Sequence, residues 1–402
     1  MISKLPPKGM RDFLPQRVEE RQALLFKIRQ AYSNYGFCEI ETPIIEDLSF
    51  LLSKQGGENE KLIYKILKRG EKFEKASQDD LCDLGLRFDL TLPLARYYAN
   101  NISALPPVAK IMHIGSVFRA DRPQKGRFRQ FVQCDIDILN EPSILAEVEL
   151  IAATKSALNA IGLSDFTVLI NDRRILKSLA KYAGFEESQW EKVFIELDKL
   201  DKIGIESVKE ELLSSLPKES VEKFFGAALA IKNSSNPLNE AQKVLDTEGC
   251  EAAQSLQNII DATSARFDVT LVRGMNYYTG TIFEIYCGGV PYALAGGGRY
   301  DKLIEKISGT PTPACGFSIG FERITELLEG KIQVQKLPRT AFIVDKKFLG
   351  DIKNIMRSIE DYRSEGVCSL FVKAKNFAFQ VKELKEKGYG FIKVYDGNNW
   401  ND

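Results

Sequence analysis

The 402 residues exceed a usual single domain and allow two or three domains with a substantial core. With 55 basic and 55 acidic side chains the net charge is zero, so no global field draws in a polyanion and any nucleic-acid contact must come from local patches. Seven scattered cysteines without a CxxC pair, and one histidine, His113, argue against a disulfide framework or a structural zinc site. No long apolar span or signal-type N-terminus is present, which predicts a soluble, cytoplasmic protein of a reducing compartment.

Pro6-Pro7-Lys8-Gly9-Met10-Arg11-Asp12 opens the chain with turn-formers. Residues 18–35 carry Leu25, Ile28, Tyr32 and Tyr35 at helical spacing and stop at Gly36, which predicts an amphipathic helix. Residues 37–46 alternate and meet Pro43, as an edge or interface strand would. Residues 56–81, rich in Lys and Glu, read as a mobile surface loop. Residues 84–98, LGLRFDLTLPLARYY, read as a strand, a turn at Pro93 and the start of a helix. Asp89 and Thr91 share a strand face with Arg87 there, so a carboxylate and a hydroxyl can point together at an ammonium group, or one of them can cap the helix.

The chain is organised around residues 115–140, GSVFRADRPQKGRFRQFVQCDIDILN. Two apolar-flanked segments, 115–120 and 131–139, enclose Arg122, Lys125, Arg127 and Arg129 with a Pro and a Gly, which predicts two antiparallel strands joined by a basic loop. Gln133, Asp135 and Asp137 alternate with Cys134, Ile136 and Ile138, so one strand face is polar and the other apolar. That polar face is either the floor of a site or a surface in water. The arginines suit phosphate oxygens, and the alternative is a solvated turn.

Residues 145–158 read as helix and 166–170 as strand. Residues 171–265 are rich in Leu, Lys, Glu and Ala at 3-to-4 spacing, a helical insertion. Residues 271–286, LVRGMNYYTGTIFEIY, form a strand interrupted at Arg273-Gly274 and Thr279-Gly280, with Tyr277 read as aromatic core. Residues 295–301, AGGGRYD, let backbone approach a ligand closely. Residues 315–323, CGFSIGFER, lead from strand to helix. After a linker at 331–338, strands at 340–344, 367–372 and 391–395 alternate with helices at 348–364 and 376–387 as a βαβαβ series.

In this order the stretches resemble the class II aminoacyl-tRNA synthetases, in the form carried by histidyl-tRNA synthetases, over essentially the whole chain up to Tyr395. Phe118-Arg119, residues 121–127 and Arg129-Gln130-Phe131 with Gln133 match motif 2. Residues 84–98 match the LRxDLTxPxARY pattern, LVRGMNYYT resembles LVRGLDYYT with Asn276 where aspartate is usual, and residues 315–323 resemble motif 3. The helix and strand through Glu46 are similar to motif 1, which in the family builds a dimer interface.

The resemblance implies an α+β fold: a class II antiparallel six-to-seven-stranded sheet flanked by helices in a catalytic domain at 1–330, with the insertion at about 171–265. A linker at 331–338 leads to a truncated anticodon-binding-like α/β domain at 339–402. It implies that Arg119, Arg273 and Gln133 are catalytic, and that Arg119, Arg323 and Glu322 bind ATP with Mg2+ as further counter-charge. Asp89, Thr91, Gln133, Asp137, Tyr278 and Gly297 would bind histidine, with Asp135 a rival to Asp137, and Arg122, Gln124 and Arg129 would contact tRNA. No metal ligand of protein origin is assigned. The implied activity is ATP-dependent activation of L-histidine and its transfer to tRNA(His), by a homodimer that binds neither membrane nor DNA. No side-chain base is required, because the attacking carboxylate is already ionised. The alternatives are a non-catalytic histidine sensor such as the regulatory subunit of ATP phosphoribosyltransferase, and a relative that passes the adenylate to another acceptor. Such sensors usually lose the LVRG arginine or the basic loop, whereas Arg119, Arg122, Arg273 and Arg323 are all here.

Overall fold

The polar and apolar alternation of residues 130–139 becomes a ten-residue strand at the middle of a large sheet in a computed structural model, which describes residues 4–52, 58–77, 80–124, 126–273, 277–332 and 337–402. The chain divides into two units, Met1–Ile332 and Gln333–Asp402. In chain order the strands of the large sheet are β1 (Cys38–Ile40), β2 (Ala109–Phe118), β3 (Gln130–Leu139), β4 (Phe166–Asp172), β5 (Arg266–Phe267), β6 (Thr281–Cys287), β7 (Ala295–Arg299) and β8 (Ala314–Gly320). Their order across the sheet is β1-β2-β3-β8-β7-β6-β4-β5. The six strands from β2 to β4 in that order pair antiparallel throughout, within an α+β architecture. The sheet has eight strands because two short edge strands, β1 and β5, add in parallel. β1 lies within the strand expected at 37–46, whereas β5, at two residues, is too brief to leave a periodic signature.

Cys134, Ile136 and Ile138 on β3 are at most 1% exposed and form the core with the helix Leu145–Ala160, which packs in turn on the helix Pro15–Asn34. That first helix begins at Pro15, three residues before the spacing predicts, since proline is well suited to an opening turn where its missing N–H costs nothing. It ends just before Gly36, whose φ of 82° is the left-handed conformation glycine adopts readily.

Three local expectations are corrected. The predicted strand at 37–46 is two pieces broken at Thr42-Pro43: β1 and Ile45–Asp47, the latter in a separate three-stranded sheet with Cys82–Leu86 and Lys65–Leu67. The supposed loop at 56–81 therefore contributes a strand, Lys65–Leu67, and a short helix, Glu71–Glu74. Its exposed Lys and Glu residues hid them, because neither element has a buried face. Pro93 does not mark the turn either. It is the third residue of the helix Thr91–Asn101, where no backbone N–H is needed, and the turn falls at Asp89-Leu90.

The helical insertion runs from Arg173–Ala183 to Thr247–Thr263 and interrupts the large sheet between β4 and β5. In the second unit, β9 (Arg339–Val344), β10 (Val367–Val372), β11 (Phe391–Tyr395) and β12 (Trp400–Asn401) lie in the order β10-β9-β11-β12. The first three are parallel, as a βαβαβ series requires, and β12 adds antiparallel. The helix expected at 348–364 is divided into Ile352–Ser358 and Glu360–Glu365. Ala341, Ile343, Leu384 and Tyr389 form one small core, and Val344, Ile355 and Tyr395 another. No helix among the described residues is long and apolar enough to cross a membrane.

Candidate active site

Strand register decides what the polar face of β3 meets. Opposite Gln133, Asp135 and Asp137, β8 sets Gly320, Ser318 and Gly316; β7 continues the rows with Gly296 and Gly298, and β6 with Glu284 and Ile282. Small residues on the neighbouring strands leave a cleft of about 340 Å³ above this floor. A Cβ at Gly316 would collide with Oδ1 of Asp137, and one at Gly296 with the guanidinium of Arg273. The glycines therefore clear the room that two longer side chains occupy.

Three buried carboxylates line the cleft. Asp89, Asp135 and Asp137 are buried and line it together with Thr91. Asp137 accepts a 2.5 Å hydrogen bond from the Tyr300 hydroxyl, and Asp135 accepts one from the Ser318 hydroxyl. Asp89 combines the two roles its position allowed: Oδ1 accepts from the Leu92 N–H at 3.3 Å and caps the helix, while Oδ2 is buried without a partner among the described residues. Asp89 and Thr91 do not share a strand face with Arg87, because the strand ends at Leu86. Arg87 turns instead to the carbonyls of Thr42 and Ser116, both at 2.9 Å. Burial pushes the carboxyl of Asp89 up to about 6 and that of Asp137 up to about 7. Asp135 rises well above the usual range through burial and the neighbouring Asp137. Arg119 offsets only part of this burial for Asp89 and Asp135, and a cationic ligand would supply further compensation.

Three arginines line the same cleft. Arg119 donates from Nε to the Phe88 carbonyl at 2.9 Å and lies 5.0 Å from the Phe131 ring centre. Arg273 holds Glu284 at 2.7 Å, and Tyr286 donates to the second oxygen of that carboxylate at 2.7 Å. Arg323 donates to the Ala293 carbonyl at 2.6 Å and sits over the Tyr292 ring. Burial lowers the pKa of Arg119 and Arg323, yet guanidinium stays charged, so three fixed cations face one cavity.

The remaining expected site residues divide. Gln133 and Tyr278 are buried in the cleft wall, with Tyr277 stacked 4.7 Å from Tyr278 and 5.8 Å from Tyr300. Tyr277 thus lines the cavity rather than disappearing into the core. Gly297 reaches the cleft through its backbone, but a Cβ there would strike the Gly316 carbonyl and the Phe283 ring, so strand packing demands this glycine. Glu322 lines the cavity with its carboxylate already engaged. Arg21 grips it with two 2.8 Å bonds, Arg11 with one of 2.5 Å, and the Val132 N–H reaches it at 3.3 Å. These bonds tie the start of the helix Phe321–Leu327 to Arg11, Arg21 and β3. In the basic loop Arg122 and Gln124 are exposed, whereas Arg129 turns inward to the Asp121 carbonyl at 3.0 Å and its backbone N–H donates to Gly9. Lys125 and Asn276 lie outside the described residues.

His113 is buried beside Arg87 and Leu90 and does not line the cleft; burial pushes its pKa down to about 4, so it is a neutral structural residue. Sequence reasoning assigned no role to Tyr300, Ser318 or Glu284. Tyr300 and Ser318 stand inside the glycine-rich stretches, and Glu284 is a lone polar residue in an apolar strand. That last signal was readable at period two.

A family model described as histidyl-tRNA synthetase matches residues 9–324. A histidine–tRNA ligase of Leifsonia xyli is 47% identical over 81% of this chain and 80% of its own. A "Probable histidine–tRNA ligase" of Tropheryma whipplei is 44% identical over 98% of this chain and 96% of its own. Among solved structures, a histidyl-tRNA synthetase from Nostoc is 25% identical with a TM-score of 0.77, covering 98% of this chain and 93% of the other. An ATP phosphoribosyltransferase regulatory subunit/histidyl-tRNA synthetase from Bacillus halodurans, 21% identical with a TM-score of 0.78 over 98% of each chain, shares the fold.

The raised carboxyl of Asp137 has a signed consequence. A folded-state pKa of about 7 lies above the unfolded value, so the stability linked to this group is full at low pH and is lost as pH rises toward and through 7. Asp137→Asn, which cannot ionise, should gain on the parent protein by about 1–3 kcal/mol between pH 5 and pH 8, in urea unfolding without ligands, as the parent loses the linked stability. The same difference at both pH values would contradict the assignment.

Proposed function

The chain belongs to the histidyl-tRNA synthetase family, and on that basis we propose that its cleft activates L-histidine with ATP and transfers the histidyl group to the 3′ end of tRNA(His). The observation that carries this reading is one cavity lined both by buried carboxylates and by three arginines. A histidine zwitterion matches that polarity. Its ammonium pairs with Asp89 and Thr91, and its imidazole meets Asp137 and Tyr278. A ligand without those groups would leave buried polar atoms unpaired, at about 1–3 kcal/mol each. The histidine carboxylate then points toward Arg119 and Arg273.

A carboxylate oxygen attacks the α-phosphorus of ATP and pyrophosphate leaves. Negative charge grows on the phosphoryl oxygens in that step, and Arg119 and Arg273 are preorganised counter-charges from two sides. Arg323 holds the distal phosphates. Magnesium enters with ATP as its substrate complex. No cluster of three or more His, Cys, Asp or Glu among the described residues is disposed to hold a metal ion, so its ligands are chiefly phosphate oxygens and water. In the second step the terminal ribose hydroxyl of tRNA attacks the adenylate carbonyl and AMP leaves, with Gln133 beside that centre.

The named relatives that cover most of this chain are ligases, and Arg119, Arg122, Arg273 and Arg323 are all present, which favours an enzyme over a histidine sensor. In Gln333–Asp402 basic residues outnumber acidic ones, which supports an anticodon-binding-like role for that unit. We extend the reading to a homodimer. Support comes from the exposed edge strand β1 and the neighbouring groove lined by Phe26, Phe37 and Met112.

Pyrophosphate exchange with each of the twenty amino acids, without tRNA, is expected with histidine alone; histidine binding without exchange would overturn the ligase reading in favour of the sensor. Arg122→Ala should lower tRNA charging about tenfold and exchange less than about twofold, as loss of one charged phosphate contact predicts. Equal losses in both steps would remove Arg122 from the tRNA contacts. Light scattering at micromolar concentration should give twice the chain mass, and a monomer would rule out the dimer.

A further inference from the structure

Gln133, Asp135 and Ser318 form a chain of contacts on the cleft floor. The pairing of β3 with β8 sets Ser318 directly across from Asp135 and Gly320 across from Gln133. The Ser318 hydroxyl donates to Oδ1 of Asp135, while Nε2 of Gln133 donates to the Ser318 oxygen at 2.8 Å and reaches Asp135 Oδ1 at 3.5 Å. Gln133 and Asp135 are 9% and 3% exposed, and all three residues line the cavity. The other end of the amide, Oε1, is buried and accepts no hydrogen bond from any described residue.

A primary amide has nearly the same shape when its oxygen and nitrogen are exchanged, so its neighbours decide its sense. Turned over, Gln133 would set Oε1 against the Ser318 oxygen, whose proton is already given to Asp135, and against Asp135 Oδ1. Two acceptors would then face a third in a buried place, with no donor between them. The observed sense gives both N–H groups to the floor. It holds while Asp135 is purely an acceptor, the state that a cationic ligand in this cleft favours.

We infer that Asp135 and Ser318 are a positioning pair for Gln133: they hold its N–H groups against the floor so that its oxygen faces the cavity and reads a hydrogen-bond donor of the bound amino acid. The inference rests on the cleft being a histidine site. It gives Asp135 a task distinct from that of Asp137, although the two share one strand face. Asp137 is committed to Tyr300, and Asp135 works through its neighbour. Gln133 then acts as an acceptor, which suits an ammonium or imidazole N–H and disfavours a carboxylate at the same point.

The test is a double-mutant cycle read by calorimetric histidine binding to the full chain, without ATP, so that turnover is not needed. Ser318→Ala should weaken histidine binding about tenfold in the intact protein and less than about twofold in a Gln133→Ala background, because the serine acts only through the amide. ATP binding should change less than about twofold in every variant. Asp135→Asn, which keeps the accepting oxygen, should bind histidine within about threefold of the parent, while Asp135→Ala should lose about as much as Ser318→Ala. If Ser318→Ala does not fold, Asp135→Ala takes its place in the cycle with the same expectation. Equal losses in both backgrounds would overturn the positioning pair and leave the histidine site standing. An intact protein that binds no histidine would overturn both.

Discussion

The pleat of β3 sends Cys134, Ile136 and Ile138 into the core and Gln133, Asp135 and Asp137 into the cleft, and neither set can move without the other. A slip of one residue would carry carboxylates into an apolar layer and apolar side chains onto the cavity floor. Burying a large apolar side chain contributes about 1.5–3 kcal/mol, so the core side of this strand fixes the register that the polar side needs. The crowded carboxylates draw on that stability. Burial raises the pKa values of Asp135 and Asp137, a cost tolerated because the same strand is anchored on its other face.

Charged ties at the margins hold the surrounding pieces in place. Arg299, next after the glycine run of β7, grips both oxygens of Glu147 at 2.7 Å, and so fastens the end of that strand to the helix Leu145–Ala160. Glu322 does the same between the helix Phe321–Leu327 and the N-terminal residues Arg11 and Arg21. Arg11 also lies 3.5 Å from the centre of the Phe128 ring at the foot of the basic loop. These pairs are buried or half-buried, where breaking one partner leaves a costly lone charge. The result is a floor held from several directions while the tip of the loop, with Arg122 and Gln124, stays in water.

What could be read from the sequence was local and periodic. The alternation at 133–138 named both faces of β3, and the stretches that carry Arg119, Arg273 and Arg323 supply arginines that line the cavity. Pairings between distant residues could not be read in this way. Ser318 and Asp135 are 183 positions apart, and Tyr300 and Asp137 are 163 apart; only the sheet brings them together. The edge strand Arg266–Phe267 and the strand Lys65–Leu67 escaped because two or three residues carry no period. The ties of Glu322 could not be read either, because its partners, Arg11 and Arg21, are over 300 positions away in the chain.

Gly296 and Gly316 have a consequence of another kind. What they contribute is vacancy, since any side chain at either position would enter space taken by Arg273 or Asp137. A survey that trims residues to alanine, and scores each by what is lost, would register these two as sites where something was added. Half of the cavity's shape is therefore invisible to subtraction, and a catalogue of functional side chains, however complete, would describe the furniture of this site without its floor plan.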